Sequence, residues 1–505
     1  MMDYIIVQAG GKGTRLKYLT KNKPKALVPV ENLPMLFHLF RKYPDKKFVI
    51  IADYKKEVMH AYLEAFADVK YQIVDAEGEG TCAGVKQAIN LIPKKEPFML
   101  VWSDLILPKD LILPAGYEDT KECVNPVDDY IGISKTFPCR WSYIDGTFVE
   151  ESSSEHGVAG FFLFTEKEKL KEVPQSGELV RWMQNNFMTY KEIELAGTKE
   201  FGLIEEYNKL EQEKCRPFNK MTIEADQIIK EGIDEQGKAL AVKECAWYEK
   251  AKKLGISNIP RIYAANPLVM ERIDGENIYA YQLDYKDKKD VLRKLIDSLN
   301  VLHKSDHISS DIFNIKEVYY KKTFERMQNI RDLVPFAKDE YVVVNGRKCR
   351  NVFFHKRALE KKIEQFSCKE FCFIHGDCTF SNIILRKDGS PVLIDPRGYF
   401  GHIQFYGDPL YDWAKLYYSI VGNYDKFNLK EFNLEIGTRE IKLEISSNHW
   451  EDMEPDFFEM TQTEPEAIKL LHAIIWLSLT TYAWQDYDSI CGAFYNGLYY
   501  LEEML

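Results

Sequence analysis

The stretch Gln8-Ala-Gly-Gly-Lys-Gly-Thr-Arg-Leu-Lys-Tyr-Leu-Thr-Lys-Asn-Lys-Pro-Lys-Ala-Leu-Val-Pro-Val30 constrains the fold more than any other part of the chain. It follows directly on a short apolar run, Tyr4 to Gln8, that suits a buried strand. A glycine-rich turn after such a strand lets backbone N–H groups converge on an anion without interference from Cβ atoms. Ala9, Gly10, Gly11, Gly13 and Thr14 are the expected cradle for a nucleoside triphosphate. Arg15 can fork onto phosphate oxygens, and Lys25, held between Pro24 and Leu27-Val28-Pro29-Val30, offers a point charge to a second phosphate. Two phosphates brought together make a site for nucleotidyl transfer. Taken alone, the three glycines read equally as an ordinary strand-to-helix turn.

The first 105 residues alternate between two hydrophobic periods, with strand patterns at 48–52, 70–74 and 98–102 and helix patterns at 57–67 and 84–92. That alternation predicts a parallel sheet with crossover helices. Ligands of such sheets collect at the carboxyl ends of strands. Asp104 stands there, and a carboxylate at the mouth of a phosphate site suits Mg2+, although a lone Asp also reads as a helix cap. Glu79-Gly80-Thr81-Cys82-Ala83-Gly84 is a second glycine-bracketed turn, and Thr81 is the expected cap of the helix that follows.

Gly-x-Gly-x-Arg, followed by Pro24-Lys25 and the apolar Leu27-Val-Pro-Val30, resembles the signature of the sugar-phosphate nucleotidyltransferase (pyrophosphorylase) family. The resemblance implies an α/β, Rossmann-like domain with a mixed sheet. It makes Arg15 and Lys25 catalytic, makes Asp104 a metal ligand, and lays Gly80 and Thr81 against nucleobase and ribose. Cys82 leaves the base open. Gly157 to Phe164 looks like the late strand of that family, and Gly197-Thr198-Lys199-Glu200 like a segment near its end. Two residues before that segment the family carries an aspartate that helps hold the metal, and this chain has Leu195. Glu194, Asp145 or Glu192 is the expected substitute.

Past Glu213 the character changes. Cys215-Arg-Pro-Phe-Asn219 reads as a short joint, dividing the chain into residues 1–214 and 215–505. A strand over 226–230 ends in Lys230, and Glu244 is expected to open a helix over 244–254. By themselves these are a solvated strand end and a helix face. Val269-Met-Glu-Arg-Ile-Asp-Gly275 reads as a strand feeding a hinge between two lobes, and a helix ends at Leu302-His303. The decisive motifs are Phe373-Ile-His-Gly-Asp-Cys-Thr-Phe-Ser-Asn-Ile-Ile-Leu385 and Val392-Leu-Ile-Asp-Pro-Arg-Gly398. They resemble the catalytic loop and metal aspartate of the aminoglycoside phosphotransferase and choline kinase family. That implies a two-lobed α+β, protein-kinase-like small-molecule kinase, in which Lys230 and Glu244 position ATP. Asp377 would handle the proton of an attacking hydroxyl, with Asn382 and Asp395 facing Mg2+.

His375 is expected to be structural. Cys368, Cys372 and Cys378 around it match no common zinc spacing. Asp408 and Asp412 are expected caps and loop anchors. The aromatic stripe Trp476, Tyr482, Trp484 and Tyr487 reads as core, or else as a wall for a cationic substrate such as choline.

The two halves together imply a bifunctional enzyme. ATP phosphorylates a small alcohol, and a second NTP, CTP first, activates the phosphate ester with release of pyrophosphate for surface polysaccharide or glycan assembly. The alternatives are a single-activity enzyme whose other domain regulates, for which Leu195 is the hint, or a nucleotide sensor, against which the intact motif residues stand. With 67 basic against 78 acidic residues and no long basic tract, nucleic acid is excluded as a partner. Ten scattered cysteines and an N-terminus that enters a strand at once point to a reducing, cytoplasmic setting. The apolar stretch 467–484 contains Lys469 and His472, so a buried helix is expected there and no membrane partner. Oligomeric state stays open.

Overall fold

In the computed structural model the described residues are 2–118, 126, 128–210, 219–233, 235–366, 368–480 and 486–505. The chain divides into two compact units, Met1–Gln212 with Gln485–Tyr487, and Glu213–Trp484 with Asp488–Leu505. The joint expected at Cys215 lies outside the described residues, as do Tyr482 and Trp484.

The first unit is built on strands β1 (Tyr4–Gln8), β2 (Lys47–Ala52), β3 (Lys70–Asp75), β4 (Phe98–Trp102), β5 (Tyr130–Ser134), β6 (Ser142–Ile144), β7 (Thr147–Val149), β8 (Gly157–Phe164) and β9 (Lys191–Glu194). They form one mixed sheet in the order β7-β6-β8-β4-β1-β2-β3, with β5 paired to β8 and to β9. β1 runs parallel to both β2 and β4, whereas β8 is antiparallel to β4. The central strands are apolar throughout because both faces are covered, and Ile6, Val49, Leu100 and Phe162 share one core. Since the chain leaves β1 for β2 on one side and returns to β4 on the other, the strand order reverses at β1/β4. A crevice opens at the carboxyl edge of such a switch point.

The second unit opens with strands β10 (Asn219–Ile223), β11 (Gln227–Gly232), β12 (Ile262–Ala265) and β13 (Leu268–Glu271), in the antiparallel order β10-β11-β13-β12. Helix α1 (Glu235–Lys253) joins β11 to β12. It begins well before the expected start, so Glu244 lies inside the helix and does not open it. Gly237 interrupts the helix formers of the first turns and hides them from a pattern reading. After strand β14 (Gly275–Asn277) the unit is mainly helical, with α2 (Tyr285–Ser305), α3 (Lys322–Ile330), α4 (Pro409–Ile420) and α5 (Pro465–Leu479). A small sheet places β15 (Ile383–Arg386) between β14 and β16 (Pro391–Leu393). Trp247, Leu299, Phe373, Leu393 and Trp413 pack in one core. Among the described residues no helix is long and apolar enough to cross a membrane.

Two candidate active sites

The crevice of the first unit is bounded by the loops that leave β1 and β4. Gln8 and Trp102 are the last register pair of these strands, and the N–H of Ser103 donates to Gln8 O at 3.3 Å. Gly10 is needed where the first loop crosses β2, since a side chain there would start 2.8 Å from Asp53 Cβ. Ala9 is buried, whereas Gly11, Thr14 and Arg15 are exposed. Gly13 closes that turn with φ +63° and leads into the short helix Thr14–Thr20.

Lys25 and Asp104 meet in a salt bridge, both side chains 11% exposed. Burial would raise the Asp104 carboxyl, but the Lys25 ammonium, its hydrogen bond and the more distant Arg15 outweigh burial and hold it below the ordinary range. Glu200 is the second acid of this cluster. A two-residue strand, Lys199–Glu200, pairs antiparallel with Leu105–Ile106, and the N–H of Phe201 donates to Asp104 O at 3.1 Å. Burial and the neighbouring Asp104 push the Glu200 carboxyl up to about 7 against the pull of Lys25 and Arg15. Glu200 Oε1 and Lys25 Nζ both lie over Gly202, 1.9 and 3.1 Å from where a Cβ would sit, so a side chain at that position would occlude the site.

Glu200, and not Glu194, Asp145 or Glu192, is the acid that the fold brings to Asp104. Those three are exposed, and none figures among the charges acting on Asp104. Leu195 is fully buried, packed where a side chain on Gly132 would fall. The clue to Glu200 was its place in the Gly197-Thr198-Lys199-Glu200 segment.

The second glycine turn is tied to the first. Gln8 Nε2 donates to Thr81 O at 2.6 Å, which carries Gly80 and Thr81 to the end of β1. Thr81 does not cap the helix that follows. Its hydroxyl accepts the N–H of Leu179 at 2.8 Å, and Gly84, with φ +78°, precedes the helix Val85–Asn90 without a side-chain cap.

In the second unit a single helix organises the site. Asp408 is the N-cap of α4, accepting the N–H of Leu410 at 3.0 Å, with Pro409 in the first turn. Asp412 accepts the N–H groups of His375 at 2.9 Å and Gly376 at 2.7 Å, and His303 Nε2 lies 3.0 Å away. Burial opposes ionisation of Asp412, but His303, His375 and these donors more than compensate and lower its carboxyl. Lys415 Nζ is 2.9 Å from Asp377 Oδ1, and Ser419 Oγ accepts the N–H of Phe380 at 3.0 Å. Positions 412, 415 and 419 recur on one face of a helix, and that face grips the loop from His375 to Phe380. Lys415 escaped the sequence reading; its spacing from Asp412 was the available signal.

Asn382 Nδ2 donates to Asp377 O at 2.8 Å and Oδ2 at 3.1 Å, which leaves its amide oxygen as a donor for a cation. The β15–β16 hairpin then returns the chain, Ile394 N–H donating to Asn382 O, so that Asp395 follows directly, 47% exposed and with φ +52°. A non-glycine residue in that region costs about 1–3 kcal/mol and is tolerated where the surroundings fix it. Lys230 on β11 lies 2.8 Å from Glu244 and 2.5 Å from Asp395. Burial opposes the Lys230 charge, yet Asp395 and Glu244 raise its affinity for a proton. Burial pushes Glu244 up to about 7. His375 is fully buried. Its Nδ1 accepts the N–H of Asp377 and its Nε2 donates to Ile394 O, an assignment made from the geometry, and burial lowers its basicity. It is a structural pin. Trp476 is buried, its indole N–H donating to His472 Nε2 at 2.9 Å, and Tyr487 is buried as well.

Each site offers a pair of oxygen donors: the Asp104 and Glu200 carboxylates in one, the Asn382 amide oxygen and Asp395 carboxylate in the other. Such sets fit a hard cation such as Mg2+.

Residues 4–129 match the nucleotidyl transferase family, and residues 234–435 match the phosphotransferase enzyme family. The chain thus joins a nucleotidyltransferase domain of mixed-sheet α/β fold to a phosphotransferase domain. The bifunctional protein GlmU of Methanocaldococcus jannaschii is 34% identical over 112 residues, 22% of this chain and 26% of that protein. The UTP–glucose-1-phosphate uridylyltransferase AglF of Haloferax volcanii is 46% identical over 57 residues, 11% of this chain and 24% of its own length. The chain spans about a quarter of the length of these curated relatives. Among solved structures, the choline kinase LicA of Streptococcus pneumoniae has 15% identity and a TM-score of 0.36, covering 57% of this chain and 91% of that one.

Proposed function

We propose that the chain is a bifunctional enzyme that phosphorylates a small alcohol with ATP and then transfers a nucleotidyl group to the resulting phosphate ester. The observation that carries this reading is that each unit has its own complete polar cluster, Lys25–Asp104–Glu200 with Arg15 in one and Asp377–Asn382–Asp395 with Lys230 in the other. The product of the second is the substrate of the first.

In the kinase step Lys230, oriented by Glu244, would hold the ATP phosphates. Asp377, fixed by Asn382 and Lys415, would accept the hydroxyl proton as the alcohol oxygen bonds to the γ-phosphorus and ADP departs. In the transfer step the N–H groups of residues 9–14 would cradle the triphosphate, with Gly80 and Thr81 beside base and ribose. Arg15 and Lys25 would neutralise the NTP and the incoming ester, whose oxygen attacks the α-phosphorus as pyrophosphate leaves. Mg2+, held by Asp104 with Glu200 and by Asn382 with Asp395, would offset phosphate charge in both steps. CTP is the first nucleotide to test. UTP and GTP follow, because relatives are named for uridylyl and guanylyl transfer. Nucleotide-activated precursors of surface polysaccharide made in the cytoplasm are the setting that fits.

The test is pyrophosphate release with each NTP, with and without ATP and a panel of alcohols. Release that requires both ATP and an alcohol supports the proposal. Pyrophosphate formed at the same rate without ATP, or none under any combination, contradicts it.

A further inference from the structure

Lys415 reaches the His375–Phe380 loop from α4 and sets its Nζ 2.9 Å from Asp377 Oδ1, with 14% of the lysine side chain and 20% of the aspartate exposed. The ammonium is held by more than this ion pair. It lies 5.9 Å from the centre of the Tyr411 ring and 5.5 Å from that of Tyr418, within the range of a cation–π contact. Tyr418 is itself fixed, stacked on Tyr424 at 4.4 Å and meeting Trp476 edge-on at 4.7 Å. Burial disfavours the Lys415 charge, but Asp377, Tyr411 and Tyr424 outweigh it, so the ammonium keeps its proton.

The other groups that pin the loop are saturated. Both ring nitrogens of His375 are bonded, and the two oxygens of Asp412 accept the N–H groups of His375 and Gly376. An ammonium carries three N–H donors, and among the described residues Asp377 is the only ion-pair or hydrogen-bond partner of Lys415. Holding Asp377 in place needs one of the three. The other donors belong to a fixed, largely dehydrated cation, where a donor without an acceptor carries a cost that an incoming oxygen would remove. A hydroxyl bonded to Asp377 Oδ1 stands within about 6 Å of that ammonium. The γ-phosphorus that such a hydroxyl attacks brings its own charged oxygens to the same place.

We infer that Lys415 is a catalytic residue of the second unit, donating to an oxygen of the γ-phosphoryl group as that group passes from ATP to the alcohol. This rests on the kinase reading and goes beyond the holding of Asp377. As the bond from the alcohol oxygen to the γ-phosphorus forms, the hydroxyl proton passes to Asp377, and the bond to the ADP oxygen breaks with its electron pair leaving on ADP. Lys415 keeps its proton throughout. It offsets charge on the phosphoryl oxygens, a contact stronger in the transition state than with bound ATP. Lys230, paired with Glu244 and Asp395, arrives from β11, so the two lysines meet the phosphoryl group from different elements.

The test compares two probes on the full-length protein with Mg2+: AMP-PNP for bound ATP, and ADP with aluminium fluoride, whose planar anion stands in for the phosphoryl group in transfer. Lys415→Met should weaken the aluminium fluoride complex about tenfold or more and leave AMP-PNP within about threefold. The same loss should appear when Lys415→Met is added to Asp377→Ala, because the contact is with the phosphoryl mimic and not only with the aspartate. Should Lys415→Met fail to bind AMP-PNP, Lys415→Gln is measured in the same way; loss of AMP-PNP binding in both would overturn the inference, since the contact would not be special to transfer. A smaller loss of the aluminium fluoride complex would overturn it too. So would a loss confined to the protein that retains Asp377, which would leave Lys415 a positioning residue. A parent protein that binds AMP-PNP but forms no tighter complex with ADP and aluminium fluoride would contradict the inference and leave the kinase reading standing. A parent that binds neither probe would overturn both.

Discussion

The crevice of the first unit and the His375–Phe380 loop of the second solve the same problem, holding charged groups still, by different means. In the first, the strand order places the loops after β1 and β4 side by side, so Lys25 and Asp104 meet as a consequence of sheet topology. In the second, the loop runs between two small sheets, from the strand Glu370–Phe373 to β15, and is pinned by contacts with the Asp412, Lys415 and Ser419 face of α4. A topological site should lose chemistry when a charge is removed and keep its shape. A pinned site should be sensitive both to its chemical groups and to the helix beneath it.

The largest effect expected is at the pinned loop. If Asp377 takes the hydroxyl proton as proposed, Asp377→Ala should lower ATP-dependent phosphorylation by about 10²–10⁴, the range for loss of general-base catalysis. Steady-state ADP release checks it; a loss under tenfold would mean that Asp377 does not take the proton.

Next come the fixed charges of the crevice. Arg15→Ala or Lys25→Ala should slow nucleotidyl transfer to a pre-made phosphate ester by about 10²–10³, corresponding to roughly 3–4 kcal/mol of lost charge stabilisation. Given ATP and the alcohol, these variants should accumulate the phosphorylated intermediate, visible by chromatography. An unaltered transfer rate would detach these residues from the chemistry.

Lys230→Ala is a milder perturbation of the pinned site. The positioning contact it removes is worth about 1.4 kcal/mol or more, which predicts an approximately tenfold or greater rise in the ATP requirement or fall in rate. A KM and kcat for ATP equal to those of the parent would place the lysine outside the phosphate site.

How far these sites could be read from sequence followed the same division. The strands Tyr4–Gln8, Phe98–Trp102 and Gly157–Phe164 are apolar runs bounded by glycine or polar residues, and the loops after the first two bear the motif residues Gly10 to Arg15 and Asp104. Glu200 was hidden because its approach to Asp104 depends on a two-residue strand too short for any periodic signal. Lys415 was hidden for a different reason. Its partner lies on a distant loop, and only packing of α4 on that loop shows that positions 412 and 415 serve the same segment. Thr81 capping Leu179 instead of its own helix is likewise a tertiary choice.

The effect expected to leave catalysis untouched concerns pH and the helical part of the second unit. Burial depresses the His472 imidazole to about 3, and its Nε2 must stay unprotonated to accept the Trp476 N–H. With the folded value below the unfolded 6.5, the unfolded chain binds the extra proton. The contribution is therefore complete above pH 6.5 and is lost as pH falls toward 3, on the order of 2 kcal/mol by pH 5. Calorimetry between pH 7.5 and 5 should show a transition shifting downward with acid, and His472→Gln should remove part of that shift. A transition that does not move would place the proton elsewhere.

The central claim is that two separate sites act in sequence on one small molecule. Phosphorus NMR of Asp377→Ala tests it most directly, with Mg2+, CTP and either the alcohol plus ATP or the pre-made phosphate ester. The account predicts no ester from the alcohol, but normal conversion of the supplied ester to the nucleotide-diphospho product and pyrophosphate. Loss of that second conversion in a folded protein would contradict two independent sites and require one shared between the activities.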